Sequence, residues 1–240
     1  MDRKDIHNSE IPKVCQACEA RHRGICGALS PDELKKLSRS ARQLTVEAGH
    51  ELMAESEPSG SYANVMSGVV KLSKMLIDGR QQIVGLQFAP DFLGRPFVDE
   101  NRVSADAASD VELCRFPKTA IDSLIASSAD LERRLHQQTL KELDEARDWM
   151  VTLGRKTAAE KVASFLYLIA THIDPSIDDS GGSAQFDLPL TRADIAYFLG
   201  LTIETVSRQL TRLRTSDIIQ ITHNRHVVIP VLNRLRDRMG

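Results

Sequence analysis

Leu190-Thr191-Arg192-Ala193-Asp194-Ile195-Ala196-Tyr197-Phe198-Leu199-Gly200-Leu201-Thr202-Ile203-Glu204-Thr205-Val206-Ser207-Arg208 reads as a helix, a tight turn and the start of a second helix. Thr191 is placed to cap the first helix, with Asp194 where a capping box holds its acid. That helix is predicted over 192–199 and turns Ile195 and Leu199 inward. Gly200 stands where the chain needs a left-handed backbone, which glycine adopts without a Cβ clash. Leu201 packs inward, and Thr202 caps a second helix over 203–214 that buries Val206, Leu210 and Leu213. Two helices joined by a three- to four-residue turn with a glycine form the helix-turn-helix, whose second helix enters the DNA major groove.

Glu204, Ser207 and Arg208 follow i, i+3, i+4 spacing on the outer face of that second helix, so they project together near its N-terminus. A recognition helix meets base edges there. Arg208 has paired donors for guanine O6 and N7, and Glu204 accepts from cytosine N4. Phosphates repel a carboxylate, so Glu204 points to base reading rather than general adhesion. Thr191, Thr202, Arg212 and Arg214 are expected on the backbone of double-stranded DNA. Downstream, Ile218-Ile219-Gln220-Ile221 and Val227-Val228-Ile229 flank a polar turn over 222–226. They predict a two-stranded wing with His223 and His226 at its tip. The plainer alternative is a helical pair with an incidental charged face. Residues 192–240 hold eight arginines against four acids, leaving −6 on the first 191 residues of a chain of net charge −2. A basic end on an acidic body suits a protein that offers one domain to nucleic acid.

Moving upstream, Thr157-Ala158-Ala159-Glu160 is a capping box opening a helix with Val162, Phe165, Leu166 and Ile169, expected to stop near Pro175. Residues 173–183, rich in Asp and Gly, predict a surface loop. Residues 118–153 read as helical, unbroken from about Asp130. Leu143, Ala146, Met150 and Leu153 give a 3-4-3 seam between charged flanks, suited to a homodimeric coiled coil; the alternative is a helix lying on its own domain. Between Arg42 and Pro117, glycines recur every 6 to 11 residues between β-leaning runs such as Val69-Val70-Lys71-Leu72, and Asp78-Gly79 marks a hairpin. That pattern indicates an antiparallel barrel or jelly roll. Ser30-Pro31-Asp32-Glu33 opens a helix whose Leu34 and Leu37 face a core. The fold class is α+β, in four parts: a cysteine-rich segment (1–29), a β domain (30–127), a dimerisation helix (128–154) and a winged helix-turn-helix (155–240).

Cys15, Cys18 and Cys26 are spaced C-x2-C-x7-C, and Cys114 follows 88 residues later in a predicted strand. This set closes only if the fold returns Cys114 to the N-terminal loop, so it is no local zinc ribbon. Four thiolates suit tetrahedral zinc or an iron–sulfur cluster, and spacing does not separate the two. His22 is a candidate substitute ligand, and Cys114 taken alone reads as a core cysteine. A metal held this way ties the first segment of the chain to the middle of a domain, and destroying it releases the tie. The polar N-terminus is unlike a signal peptide, and the longest apolar run, 165–170, is too short to cross a bilayer. A cytoplasmic protein with no membrane partner is expected, where cysteines more often bind metal or do chemistry than form disulfides.

Over nearly its whole length the chain resembles the CRP/FNR superfamily of bacterial transcription regulators, and 190–208 is very similar to the FNR signature. The resemblance makes the barrel a cyclic-nucleotide-binding-like β-roll. It lays the E-x-x-S-R reading set on Glu204, Ser207 and Arg208 and implies TTGAT-like half-sites in an inverted repeat, one per subunit. It also implies that Cys15, Cys18, Cys26 and Cys114 hold an oxygen-labile 4Fe-4S cluster; the seven-residue gap is similar to FnrN-type proteins of alphaproteobacteria. In the cAMP-binding branch a Gly-Glu pair binds ribose and an Arg-Ser pair binds phosphate. Here Gly94 precedes Arg95 and Arg102 precedes Val103, so no cyclic nucleotide is expected. RNA polymerase is an implied partner, met by loops around Asp78-Gly79-Arg80 and 97–102. The expected protein is thus an oxygen-responsive activator and not an enzyme. The alternatives are a winged-helix regulator with structural zinc or redox-sensing thiols, and an iron–sulfur electron-transfer enzyme. The latter would leave the recognition helix unexplained, and no Rossmann or P-loop glycine motif occurs.

Overall fold

The computed structural model describes residues 11–16, 18–173 and 182–240. Eight strands fill the glycine-punctuated region: β1 (Arg42–Val46), β2 (Glu51–Met53), β3 (Ser61–Ser67), β4 (Val69–Met75), β5 (Gln81–Phe88), β6 (Phe92–Leu93), β7 (Ser104–Ala107) and β8 (Val111–Pro117). They form two four-stranded sheets, ordered β1-β8-β3-β6 and β2-β7-β4-β5. The turn at Asp78-Gly79 joins β4 to β5, as predicted, with Gly79 in the left-handed region at φ +83°.

Strands β3 and β8 each send buried side chains to both faces of their sheet. Ala63 and Val65 of β3, with Val111 and Leu113 of β8, enter the interior of the roll beside Val70, Leu93 and Ala105. The alternate residues Tyr62 and Phe116 point the other way, into a second core with Leu34, Leu37, Ile121, Leu131 and Leu135. A period of two therefore feeds two separate cores.

That second core is what the N-terminal segment packs on. It comprises α1 (Lys13–Gln16), α2 (Glu19–His22), a 3₁₀ turn (Ile25–Ala28) and α3 (Pro31–Ser40). The capping box of α3 is complete, with the Ser30 N–H and hydroxyl each 2.8 Å from the Glu33 carboxylate. Those two donors hold the Glu33 carboxyl below the usual range. Ile25, Cys26 and Leu29 are buried in the same core as Leu34 and Phe116. Gly24 permits the fit, since a Cβ there would lie 2.9 Å from the carbonyl oxygens of Ala20 and Pro90.

After β8 come α4 (Lys118–Ile125) and α5 (Ala129–Arg155). The Ser127 and Ser128 N–H groups return to the Leu124 carbonyl at the break between them. Helix α6 (Ala158–Ile173) opens on its predicted capping box, with Thr157 N–H 2.7 Å from the Glu160 carboxylate. It buries Val162, Phe165, Leu166 and Ile169. The loop predicted over 173–183 falls mainly on 174–181, outside the described residues.

The C-terminal part contains β9 (Ala184–Asp187), α7 (Arg192–Leu199), α8 (Ile203–Thr215), β10 (Gln220–Thr222), β11 (His226–Ile229) and α9 (Leu232–Arg236). The predicted two-stranded wing is in fact a three-stranded sheet, ordered β10-β11-β9. Strand β9 has only four residues, and its two inward side chains, Ala184 and Phe186, are too few to show a period. Pairing with β11, which sets Phe186 against Val227, is what makes it a strand. The chain gathers into two compact units, Met1–Leu72 with Leu86–Glu142, and Ser73–Gly85 with Leu143–Gly240. Among the described residues no helix is long and apolar enough to cross a membrane.

Candidate metal centre and nucleic-acid interface

In the central strand β8, Cys114 stands directly opposite Gln43 of β1 on one side and Asn64 of β3 on the other. It packs against the core that also holds the N-terminal turns. Cys15 of α1, Cys18 just before α2, Cys26 of the 3₁₀ turn and Cys114 all line one cavity of about 220 Å³. Leu34, Leu37, Ala41 and Phe116 supply its apolar wall, and Arg21, Asn64 and Met66 complete it. All four thiols are free. His22 is exposed and is not among the lining residues.

Burial pushes the Cys26 and Cys114 thiols up to about 12, and burial also raises Cys15. The thiols raise one another as well: Cys18 acts on the other three, and Cys15 acts on Cys26 and Cys114. Cys15, Cys26 and Cys114 therefore hold their protons more tightly than free thiols, and uptake of a cation by them releases protons. Asn64 Nδ2 donates to Cys26 Sγ at 3.3 Å, and Cys18 Sγ lies 3.7 Å from Met66 Sδ. Sequence reasoning found the thiols and missed Asn64 and Arg21. The signal for Asn64 was available, as a lone amide inside the apolar run Tyr62-Ala63-Asn64-Val65.

The helix-turn-helix follows its predicted chemistry closely. Thr191 Oγ1 accepts from the Asp194 N–H at 3.1 Å and donates to its carboxylate at 2.6 Å. Gly200 adopts φ +61°, and Lys161 Nζ donates to the Leu199 carbonyl at the end of α7. Thr202 Oγ1 accepts from the Thr205 N–H at 3.2 Å. Thr191 and Thr202, assigned above to the DNA backbone, thus have capping roles of their own. Glu204, Ser207, Arg208, Arg212 and Arg214 are exposed. Arg208 leans on Thr205 Oγ1 at 3.2 Å. The Glu204 carboxyl is held below the usual range by its own backbone N–H and then by Thr202, which keeps it an acceptor.

One cation was overlooked. Arg192 and Arg214, with Ser207, Thr211 and Asn224, surround a notch of about 300 Å³. Arg192 is half-buried, donates from Nη2 to the Asn224 carbonyl at 3.0 Å, and has no partner at Nη1. Its place was marked in the sequence, because an arginine at the first position of a helix opposes the helix dipole. In the wing, His226 Nδ1 lies 2.8 Å from the Asp187 carboxylate.

The Crp-like helix-turn-helix domain family matches residues 160–238, and the cyclic nucleotide-binding domain family matches 43–128. Over 233 residues the chain is 54% identical to a "Probable transcriptional activator" of Rhizobium leguminosarum bv. viciae, across 97% of this chain and 96% of the relative. The chain belongs to the CRP/FNR superfamily. Another CRP/FNR relative is the transcriptional activator protein FnrL of Cereibacter sphaeroides, 36% identical across 96% of this chain and 95% of that one. Among solved structures, FixK2 from Bradyrhizobium japonicum superposes with a TM-score of 0.74 at 32% identity, covering 83% of this chain and 98% of that chain. Membership makes this protein a DNA-binding transcription regulator of the activator type, and not an enzyme. The superfamily's β-roll is present here with an interior cavity of about 240 Å³, lined by Glu51, Glu57, Ser59, Ser61, Asn101 and Arg115 among others. Arg95 and Arg102 are exposed and do not line it.

The shared cavity has a direct chemical check. In metal-free protein, dibromobimane, which joins neighbouring thiols, is expected to link Cys114 to a thiol of the 15–26 segment. Peptide mapping that finds links only within 15–26 would refute the convergence.

Proposed function

We propose that this regulator senses oxygen through a 4Fe-4S cluster held by Cys15, Cys18, Cys26 and Cys114. With the cluster intact it binds TTGAT-like inverted repeats as a homodimer and mainly activates genes of anaerobic and microaerobic growth. The observation that carries the proposal is the convergence of four thiols, three N-terminal and one from the middle of the β-roll, on one cavity. The donor set fits a cluster better than zinc. A tetrahedral zinc with bonds of ~2.3 Å would draw its four sulfurs to within about 3.8 Å of one another. A cavity of about 220 Å³ leaves room for a group of several atoms.

When bound, the cluster supplies a redox reaction with oxygen. The rest is the work of the chain. Cys26 shares its core with Ile25 and Leu29 and with Leu131 and Leu135 from the first turns of α5. The Arg134 guanidinium of α5 donates to the Arg23 carbonyl of the same N-terminal segment. Four occupied thiols pin that segment to β8 and so press it against α5. Releasing them loosens the packing on which the start of α5 depends. Farther along α5, the seam of Leu143, Ala146, Met150 and Leu153 is where a second copy packs. Leu143 and Met150 are 43% and 72% exposed, and Leu140 and Val151 beside them are exposed too. A tenfold change in dimerisation needs only about 1.4 kcal/mol, and a protein must be dimeric to hold two half-sites at once.

Glu204, Ser207 and Arg208 read bases, while Arg212, Arg214 and Arg192 hold phosphate. The exposed hairpin around Asp78-Gly79-Arg80 is offered to RNA polymerase. The roll works without a cyclic nucleotide, a reading supported by the positions of Arg95 and Arg102 outside its cavity. The protein acts in the cytoplasm.

Anaerobically isolated protein should be brown, with iron and sulfide in equal amounts, and should lose colour, dimer and operator binding together in air. A colourless zinc protein whose DNA binding ignores air would sink the proposal. Arg208→Ala should cost roughly 1–3 kcal/mol at one base pair and relax specificity there. An equal loss on every sequence would make Arg208 a phosphate contact instead. Leu143→Glu should yield monomers even without oxygen, and an unchanged sedimentation coefficient would rule the seam out.

A further inference from the structure

Asn64 lies in the middle of β3 at 1% exposure, directly opposite Cys114 and on the cavity wall. Its Nδ2 donates to Cys26 Sγ, and its Oδ1 is buried with no hydrogen-bond partner. A buried amide left half-satisfied is costly to the fold, and a leucine of similar size would fill the same space without that cost. The polar group therefore serves something other than the packing of the strand. Cys26 is the buried thiol of the four, and Cys18 Sγ lies beside the thioether of Met66, which has no N–H to give.

An N–H donor bonds more strongly to a thiolate the more negative charge the sulfur carries. A donor to a metal-bound sulfur therefore favours the reduced state of the group, and hydrogen bonds to the sulfurs are among the levers that set iron–sulfur potentials. We infer that Asn64 is a positioning residue that orients the Cys26 sulfur and restrains electron loss from the bound cluster to oxygen. This rests on the cluster reading above. The step restrained is transfer of one electron to dioxygen, which becomes superoxide as the iron–sulfur group is oxidised by one electron. Asn64 neither forms nor breaks a covalent bond and keeps its protons.

The test uses full-length protein reconstituted anaerobically with ferrous iron and sulfide, as wild type, Asn64→Leu and Asn64→Asp. Leucine removes the donor at similar size, and aspartate keeps the shape while replacing the donor with an acceptor. Both variants should bind iron and sulfide yet lose visible absorbance in air about tenfold faster. Their midpoint potentials should fall correspondingly, by about 59 mV for a tenfold change in a one-electron equilibrium. Wild-type lifetimes and potentials in both variants, with iron content intact, would overturn the role of Asn64 and leave the cluster reading standing. Failure of the wild type to take up iron and sulfide would overturn both. Should the variants not fold, the wild type alone decides. Its iron–cysteine stretching bands in the resonance Raman spectrum should shift in D₂O, and unshifted bands would overturn the inference.

Discussion

Strand β8 sends buried side chains into a core on each face and lies between two partners, and the rest of the N-terminal unit depends on that. A strand with one wet face can satisfy its side chains with a single core. Here Val111 and Leu113 close the inside of the roll while Cys114 and Phe116 build a second core outside it. Cys114 is consequently fixed by hydrogen-bonded neighbours on both sides, which makes it the rigid member of the thiol set. The other three thiols sit on short turns held largely by the packing of Ile25 and Leu29.

This division of labour gives the cavity two unequal walls. The sheet wall belongs to a strand paired on both sides. The N-terminal wall is built of short turns with local hydrogen bonds and shares its apolar contacts with the start of α5. The N-terminal turns share their core with Leu131 and Leu135 of α5, and Arg134 of the same helix donates to the Arg23 carbonyl. The same helix ends in the C-terminal unit, where the Trp149 ring packs tilted at 57° against Phe198 of the helix-turn-helix with centroids 4.5 Å apart.

Much of this was legible along the chain where the signal is local. Capping boxes at Ser30, Thr157 and Thr191, the left-handed Gly200 and the outer face of α8 each involve residues within four positions of one another. Local hydrogen-bond geometry and a helical period specify them without reference to distant residues. Short or long-range features were less visible. Strand β9 lacks enough residues to show a period and exists because β11 is there to pair with it. Arg192 at a helix start and Asn64 in an apolar run are unusual in sequence, but only the fold shows that each has an unsatisfied atom in a buried place.

By itself the sequence determined the helix-turn-helix, the shared outer face of Glu204, Ser207 and Arg208, the glycine-spaced strands and the presence of four thiols in a pattern too dispersed for a local site. Only the tertiary structure decided that those thiols meet, because residues 26 and 114 are brought together by sheet register and by burial of the face beneath them. It also decided that Asn64 stands among them and that the N-terminal turns rest on α5. Spacing along a chain records what lies within a few residues, whereas a cavity wall is assembled by whichever distant side chains share one buried face.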